Sequence, residues 1–249
     1  MAFMLNSLKR LERNIIKPRL RRLKRWRYVN YGGIRVHYKD HLDGGGRTVG
    51  LGYLSLFRDL NLPRQQRIFE WCAGPGFIGF ALLGYGFCDT LCLADVNPEA
   101  IKACQRTVAE NGLADKVAIY LSDNLDNVAP TEQWDLVVGN PPHFPGEASG
   151  ELRFCDMGWN LHRSFFTAVG RFLKPGGVVV LLENNCGSTA ETFRDMADAA
   201  GLSIMFVHGC EGRLTPYPRI YYIGLVRKGD VPPAWATEAG RRGLRYGTY

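Results

Sequence analysis

Ile68-Phe69-Glu70-Trp71-Cys72-Ala73-Gly74-Pro75-Gly76-Phe77-Ile78-Gly79 reads as an apolar strand, a tight turn and the opening of a helix. Gly74 and Gly76 let the backbone come close to a ligand that a side chain would block, and Gly74-x-Gly76-x-x-Gly79 has the spacing of a dinucleotide-binding turn. Such a turn alone is a weak signal. It gains weight from Asp95, nineteen residues past Gly76 and at the end of the next strand-like run. A carboxylate there can accept both hydroxyls of a ribose. A nucleoside-containing cofactor follows, with NAD and S-adenosylmethionine as candidates.

Working outward, strands and helices alternate. Strands are expected at Arg67–Trp71, Thr90–Ala94, Val117–Leu121, Trp134–Gly139, Val178–Glu183, Leu202–Val207 and Arg219–Val226. Helices are expected at Phe77–Tyr85, Pro98–Asn111 behind an Asn97 cap, Gly158–Leu173 and Thr189–Ala200, the last capped by Ser188. A Lys174-Pro175-Gly176-Gly177 turn closes the third helix. No helix separates the last two strands, so they pair antiparallel. The pattern predicts an α/β fold: Rossmann-like and doubly wound, a mostly parallel seven-stranded sheet with an antiparallel last strand.

Residues 1–30 read as a basic amphipathic helical arm, with a stripe of Leu5, Leu8, Leu11, Ile15, Leu20, Leu23 and Trp26 interrupted at Pro18. Residues 31–66 form a cap or lid segment: a short strand (Ile34, Val36, Tyr38), a Gly44–Gly46 loop and a helix over 49–60. Residues 67–228 are the sheet domain. Residues 229–249 are a Pro-, Gly- and Arg-rich tail expected to be poorly ordered.

Two acids refine the choice of cofactor. Glu70, just ahead of the turn, suits a cationic ligand and repels a pyrophosphate, which favours S-adenosylmethionine. Asp123 ends the third strand, where it can accept from an exocyclic amine such as adenine's. Asp135-Leu136-Val137-Val138-Gly139-Asn140-Pro141-Pro142-His143-Phe144 then delivers Asn140 to the carboxyl edge of the sheet, where ligands bind in open α/β folds. The two prolines remove two N–H donors and leave carbonyls. The Asn140 side-chain oxygen and the Pro141 carbonyl can accept both hydrogens of a planar –NH2 and stabilise the charge that develops as it attacks. His143 or Phe144 can stack on the acceptor.

Arg67 to Asn184, roughly half the chain, resembles the class I S-adenosylmethionine-dependent methyltransferases, the branch that modifies planar nitrogens. Glu70–Gly76 looks like their first motif, Leu93–Ile101 their second and Asn140–Phe144 their fourth, and Phe172–Asn184 looks like the turn into the following strand. The likeness is greatest to bacterial glutamine methyltransferases of release factors and ribosomal proteins and to related RNA-base methyltransferases. Asp156–His162 sits where those families carry a substrate-loop segment. The resemblance implies that Glu70, Cys72, Gly74, Gly76, Asp95, Val96, Asp123, Asn124 and Asn140 hold the cofactor. Asn140, Pro141, Pro142 and His143 would hold the acceptor. Cys72 stands where many members have Gly, and His143 replaces the usual Tyr or Phe.

The net charge of +7 is unevenly spread. Ten of the 31 Lys and Arg, but only one of the 24 Asp and Glu, lie in residues 1–30, which leaves a near-neutral body. A surface that coats nucleic acid everywhere is disfavoured. The acceptor is an RNA base or a protein glutamine, engaged through basic residues 9–27, or else a small molecule or peptide under the Gly44–Gly46 loop; a non-catalytic binding subunit is the remaining alternative. Seven cysteines without a C-x-x-C disfavour a disulfide scaffold or zinc ribbon and fit a cytoplasmic protein. His37 and His41 lack further ligands, so no metal is expected. No run of about 18 apolar residues predicts a membrane span. The Arg-rich start is no secretory signal, although mitochondrial presequences share its composition.

Overall fold

The structure, a computed structural model, describes residues 25–146, 154–211, 220–242 and 246–248. The expected helical arm lies outside these residues up to position 24. Its last part does not continue as helix. Trp26–Tyr31 is strand β1, paired antiparallel with β2 (Ile34–Lys39). The alternation of residues 26–31 has a period of two, and Gly32 and Gly33, both at positive φ, supply the two-residue turn that such a hairpin needs.

Helix α1 (Gly46–Asp59) begins inside the glycine run, with Gly45 as its cap at φ 92. The sheet domain follows: β3 (Gln65–Trp71), α2 (Phe77–Gly84), β4 (Cys88–Asp95), α3 (Pro98–Asn111), β5 (Val117–Leu121), β6 (Trp134–Gly139), α4 (Asn160–Val169), β7 (Leu173–Asn184), α5 (Ala190–Ala199), β8 (Leu202–Glu211) and β9 (Ile220–Arg227). α6 (Ala234–Arg242) and β10 (Tyr246–Thr248) end it. The sheet order is β10-β8-β9-β7-β6-β3-β4-β5. Strands β3 to β7 are parallel, and β9 runs antiparallel to both β7 and β8. The expected seven-stranded mixed sheet is present, extended at one edge by the three residues of β10.

Four local expectations are corrected. The expected turn at residues 174–177 is part of β7, which starts at Leu173 opposite Trp134; the register then shifts, so the glycines sit at an irregularity in a continuous strand. Helix α4 starts later than expected because Gly158 and Trp159 are both left-handed. The cap of α5 is Thr189, whose amide donates to Thr192 Oγ1 at 3.0 Å; Ser188 is buried and bonds the Tyr221 hydroxyl at 2.7 Å instead. The tail is ordered over α6, where Trp235 packs edge-on against Phe57 and Phe206.

Side-chain alternation splits the core into two layers. Ile68, Leu91, Leu136, Val138 and Val180 face the hairpin, α1, α2, α3 and α6. Phe69, Trp71, Val137, Val179 and Leu225 face α4 and α5. Among the described residues no helix is long and apolar enough to cross a membrane.

Candidate active site

Strand β3 lies between β4 and β6, so the chain order reverses at its carboxyl end. Open α/β sheets bind ligands at such a switch point. The glycine turn sits there. Cys72 (φ 52), Gly74 (φ 53) and Gly76 (φ 80) are left-handed, a region glycine enters freely and cysteine does not. This is why Gly suits position 72 as well. A Cβ on Gly74 would meet nothing within 4 Å, so the turn faces open space.

Two acids brace the turn. Glu70 points beneath it: Oε2 accepts from the Gly79 amide at 2.6 Å and Oε1 from Ile78 at 3.2 Å. A Cβ on Gly79 would lie 2.7 Å from Glu70 Oε2, so the third glycine makes room for this carboxyl. Glu70 is fully buried; burial pushes its pKa up to about 8 against the pull of the two amides. Asp95 stands at the end of β4. Its oxygens accept from the Gly74 amide at 2.7 Å and the Asn97 amide at 2.8 Å. Burial raises this carboxyl above its ordinary range, and the two amides limit the rise. Val96 beside it is 65% exposed, an apolar side chain open to solvent at the sheet edge.

Asp123 and Asn124 follow β5 and line a cleft of about 370 Å³ with Cys155, Asp156 and Leu161. Asn124 is left-handed at φ 50, and its Oδ1 is buried with no hydrogen-bond partner among the described residues.

Asn140 follows β6. Its anchor is Tyr53 of α1, whose hydroxyl lies 2.7 Å from the Gly139 carbonyl and 2.9 Å from that of Val180. The hydroxyl thus wedges between β6 and β7 immediately before Asn140. Pro141 is buried and Pro142 partly so. The amides of His143 and Phe144 both donate to the Phe154 carbonyl at 3.1 Å, which fixes the segment against the residues leading to α4.

The side chains then form a chain of contacts. Asn140 Oδ1 lies 3.0 Å from His143 Nε2, and His143 Nδ1 lies 3.4 Å from Glu183 Oε2. Glu183 Oε1 is 3.0 Å from His162 Nε2, and His162 Nδ1 is 2.6 Å from Asp156 Oδ2. Glu183, His162 and Asp156 are all buried. Burial alone disfavours the imidazolium of His162, but the Glu183 charge and the Asp156 and Glu183 hydrogen bonds raise its pKa to about 9. Burial likewise opposes the charges of Asp156 and Glu183; their contacts with His162 prevail and hold both carboxyls below the ordinary range.

The structure therefore brings Cys72, Gly74, Gly76, Asp95, Asn140 and the two prolines to one edge, with Asp123 and Asn124 along the adjoining cleft. It puts Glu70 under the turn and Val96 at the rim. Sequence reasoning did not single out Tyr53, Glu183 or His162 as site residues. A buried acid ending the apolar run Val178–Leu182 was the signal for Glu183; Tyr53 has none, because its role is set by a partner 86 residues away. His37 and His41 face different acids, Glu110 and Glu99.

A release factor glutamine methyltransferase of Clostridium acetobutylicum is 24% identical over 55% of this chain and 58% of its own length. The ribosomal RNA small subunit methyltransferase C of Hahella chejuensis is 29% identical over 48% of this chain and 31% of its own. The chain thus spans between about a third and three fifths of the curated relatives it matches. A T. thermophilus 16S rRNA N2 methyltransferase, solved with AdoMet and guanosine, superposes with a TM-score of 0.56 over 80% of this chain and 50% of its own, at 14% identity. M. jannaschii TYW2, solved with AdoMet, gives 0.56 over 81% and 86%, at 15% identity. These two show a shared fold. Residues 38–200, more than half of the chain, match the model of the Methyltransferase small domain, and the chain belongs to that family.

Proposed function

We propose that this chain is an S-adenosylmethionine-dependent N-methyltransferase that acts on a planar amino or amide nitrogen of a macromolecule, an RNA base or a protein glutamine. The observation that carries the reading is Asn140, at the switch point beside the glycine turn, directly after the Gly139 that Tyr53 holds and followed by two residues without N–H donors. The relatives, an rRNA methyltransferase and a release factor glutamine methyltransferase, support both acceptor classes.

The residues present fit the cofactor. Open space above Gly74, the unpartnered Asn124 Oδ1, the Asp95 carboxylate and the solvent-exposed Val96 offer polar and apolar contacts in the order a nucleoside needs. Asp95 would accept from the ribose hydroxyls, Asp123 from the adenine amine, and Val96 would cover the ring. Glu70 would act from beneath, by keeping the turn in place. Bound S-adenosylmethionine supplies an electrophilic methyl group on a sulfonium. Asn140 and the Pro141 carbonyl would accept the two hydrogens of the acceptor –NH2 and hold its lone pair in line with that methyl. Residues 9–27 would engage an RNA or protein acceptor, and we place the reaction in the cytoplasm, where such acceptors are made.

Incubation with methyl-labelled S-adenosylmethionine in cell extract tests this. Label is expected in the RNA or the protein fraction. Label confined to small molecules would overturn the macromolecular acceptor, and absence of S-adenosylhomocysteine binding would overturn the whole reading.

A further inference from the structure

His143 occupies a place between two groups of fixed character. On one side is Glu183, a buried carboxylate whose other oxygen already meets the His162 imidazolium. Asp156 neutralises that imidazolium from behind, so Glu183 is left as an anion that can only accept. The proton on the facing ring nitrogen of His143 therefore belongs on Nδ1. In the neutral ring, Nε2 is then bare and can only accept. Its neighbour at 3.0 Å is the side-chain amide of Asn140. Oxygen and nitrogen of such an amide occupy equivalent positions, so the partner's chemistry decides which one turns inward.

We propose that His143 is a positioning residue for Asn140: Glu183 holds the Nδ1 proton, the bare Nε2 accepts from the Asn140 side-chain NH2, and the Asn140 oxygen is thereby turned to the acceptor nitrogen. With the proton on Nε2 instead, the ring would donate to the Asn140 oxygen, which would be lost to the acceptor. Among the described residues, the titratable groups facing His143 are Glu183 directly and His162 and Asp156 through it. The turn after β7 packs Gly187 on the His143 carbonyl and carries the exposed Cys186. The inference rests on the N-methyltransferase reading.

The first test reads protons and needs no acceptor. In NMR spectra of the full chain with isotope-labelled histidine, the five histidines are assigned by single substitutions. Neutral His143 is expected to carry its proton on Nδ1 with Nε2 bare, and His162 to stay doubly protonated at neutral pH. A bare Nδ1 on His143 overturns the proposal. The second test follows methyl transfer to whole-cell RNA and whole-cell protein. His143→Phe should lose about 10²-fold in rate while keeping its affinity for S-adenosylhomocysteine. His143→Gln, whose side-chain oxygen can accept from Asn140, should regain part of the rate. An unchanged rate in His143→Phe, or a Gln variant no faster than the Phe variant, overturns the proposal. Failure of the wild type to bind S-adenosylhomocysteine removes the methyltransferase reading and this inference with it, a result distinct from a wrong tautomer.

Discussion

Asn140 is one side chain at the end of a buried strand, and its amide is the group we assign to the reacting nitrogen. Removing one preorganised partner of developing charge costs about 10²–10³-fold in rate. Asn140→Ala is therefore expected to lower methyl transfer by that order and to leave S-adenosylhomocysteine affinity nearly unchanged in calorimetry. Equal loss of both would assign Asn140 to binding instead. Asp95 makes the opposite case. It orients the turn through the Gly74 amide and the start of α3 through Asn97. Hydrogen bonds to a charged group contribute about 1.5–3 kcal/mol each, so Asp95→Ala should weaken S-adenosylhomocysteine binding by at least about tenfold. An unaltered dissociation constant would remove Asp95 from the site.

At the scale of elements, the buried Asp156–His162–Glu183 cluster ties β7 to α4 and to the segment before it. The pH dependence follows from the direction of each shift. His162 is raised from 6.5 to about 9, so its contribution is complete below 6.5 and is lost as pH rises through 9. Glu70, raised from 4.5 to about 8, also costs stability as it ionises over that range. Asp156 and Glu183 are lowered, so their contributions are present at neutral pH and lost only in acid. The melting temperature should therefore fall between pH 6.5 and 9, and His162→Gln should flatten this slope while lowering stability throughout. An equal slope in both proteins would show that His162 is not the titrating group. The β1–β2 hairpin is locked to α2 by a second element-level device. A Cβ on Gly32 would overlap the Gly84 carbonyl, and one on Gly84 would overlap the Tyr31 carbonyl. Overpacking of this kind costs about 1–3 kcal/mol, so Gly84→Ala should lower the urea midpoint without a comparable loss at Gly170, which has open surroundings and a negative φ.

Across the whole molecule, α6 closes the face that α1 also covers. Trp235 is buried between Phe57 and Phe206 although it lies in a segment whose composition suggests a loose tail. Trp235→Ala is expected to cost about 3–5 kcal/mol, read by urea unfolding; a change within about 0.5 kcal/mol would mean that α6 is dispensable. At the other end, the basic residues ahead of β1 carry the charge that the body lacks. Removing residues 1–24 should leave S-adenosylhomocysteine binding intact and reduce binding of whole-cell RNA together with its salt dependence. A salt slope unchanged by the deletion would place the RNA contacts elsewhere.

The glycine turn, the acids Asp95 and Asp123, the Asn140-Pro141-Pro142 stop and the order of strands and helices were all determined by the sequence alone. Each rests on physics within a few residues: positive φ at Gly74 and Gly76, the missing donors of proline, and the change of apolar period between strand and helix. The tertiary structure decided the rest. Trp26 became strand because β2 lies opposite it, and residues 174–177 stayed extended because β6 pairs there across a register shift. Glu70 turned from a ligand-facing acid into a brace because α2 presents two free amides to it. Tyr53 meets Gly139, and Asn140 meets Glu183 through His143, only once the parallel sheet has set β6 beside β7. Those contacts join residues 40 to 86 positions apart. No local pattern encodes them, because strand order in a parallel sheet is settled by burial of whole faces rather than by neighbours in the chain.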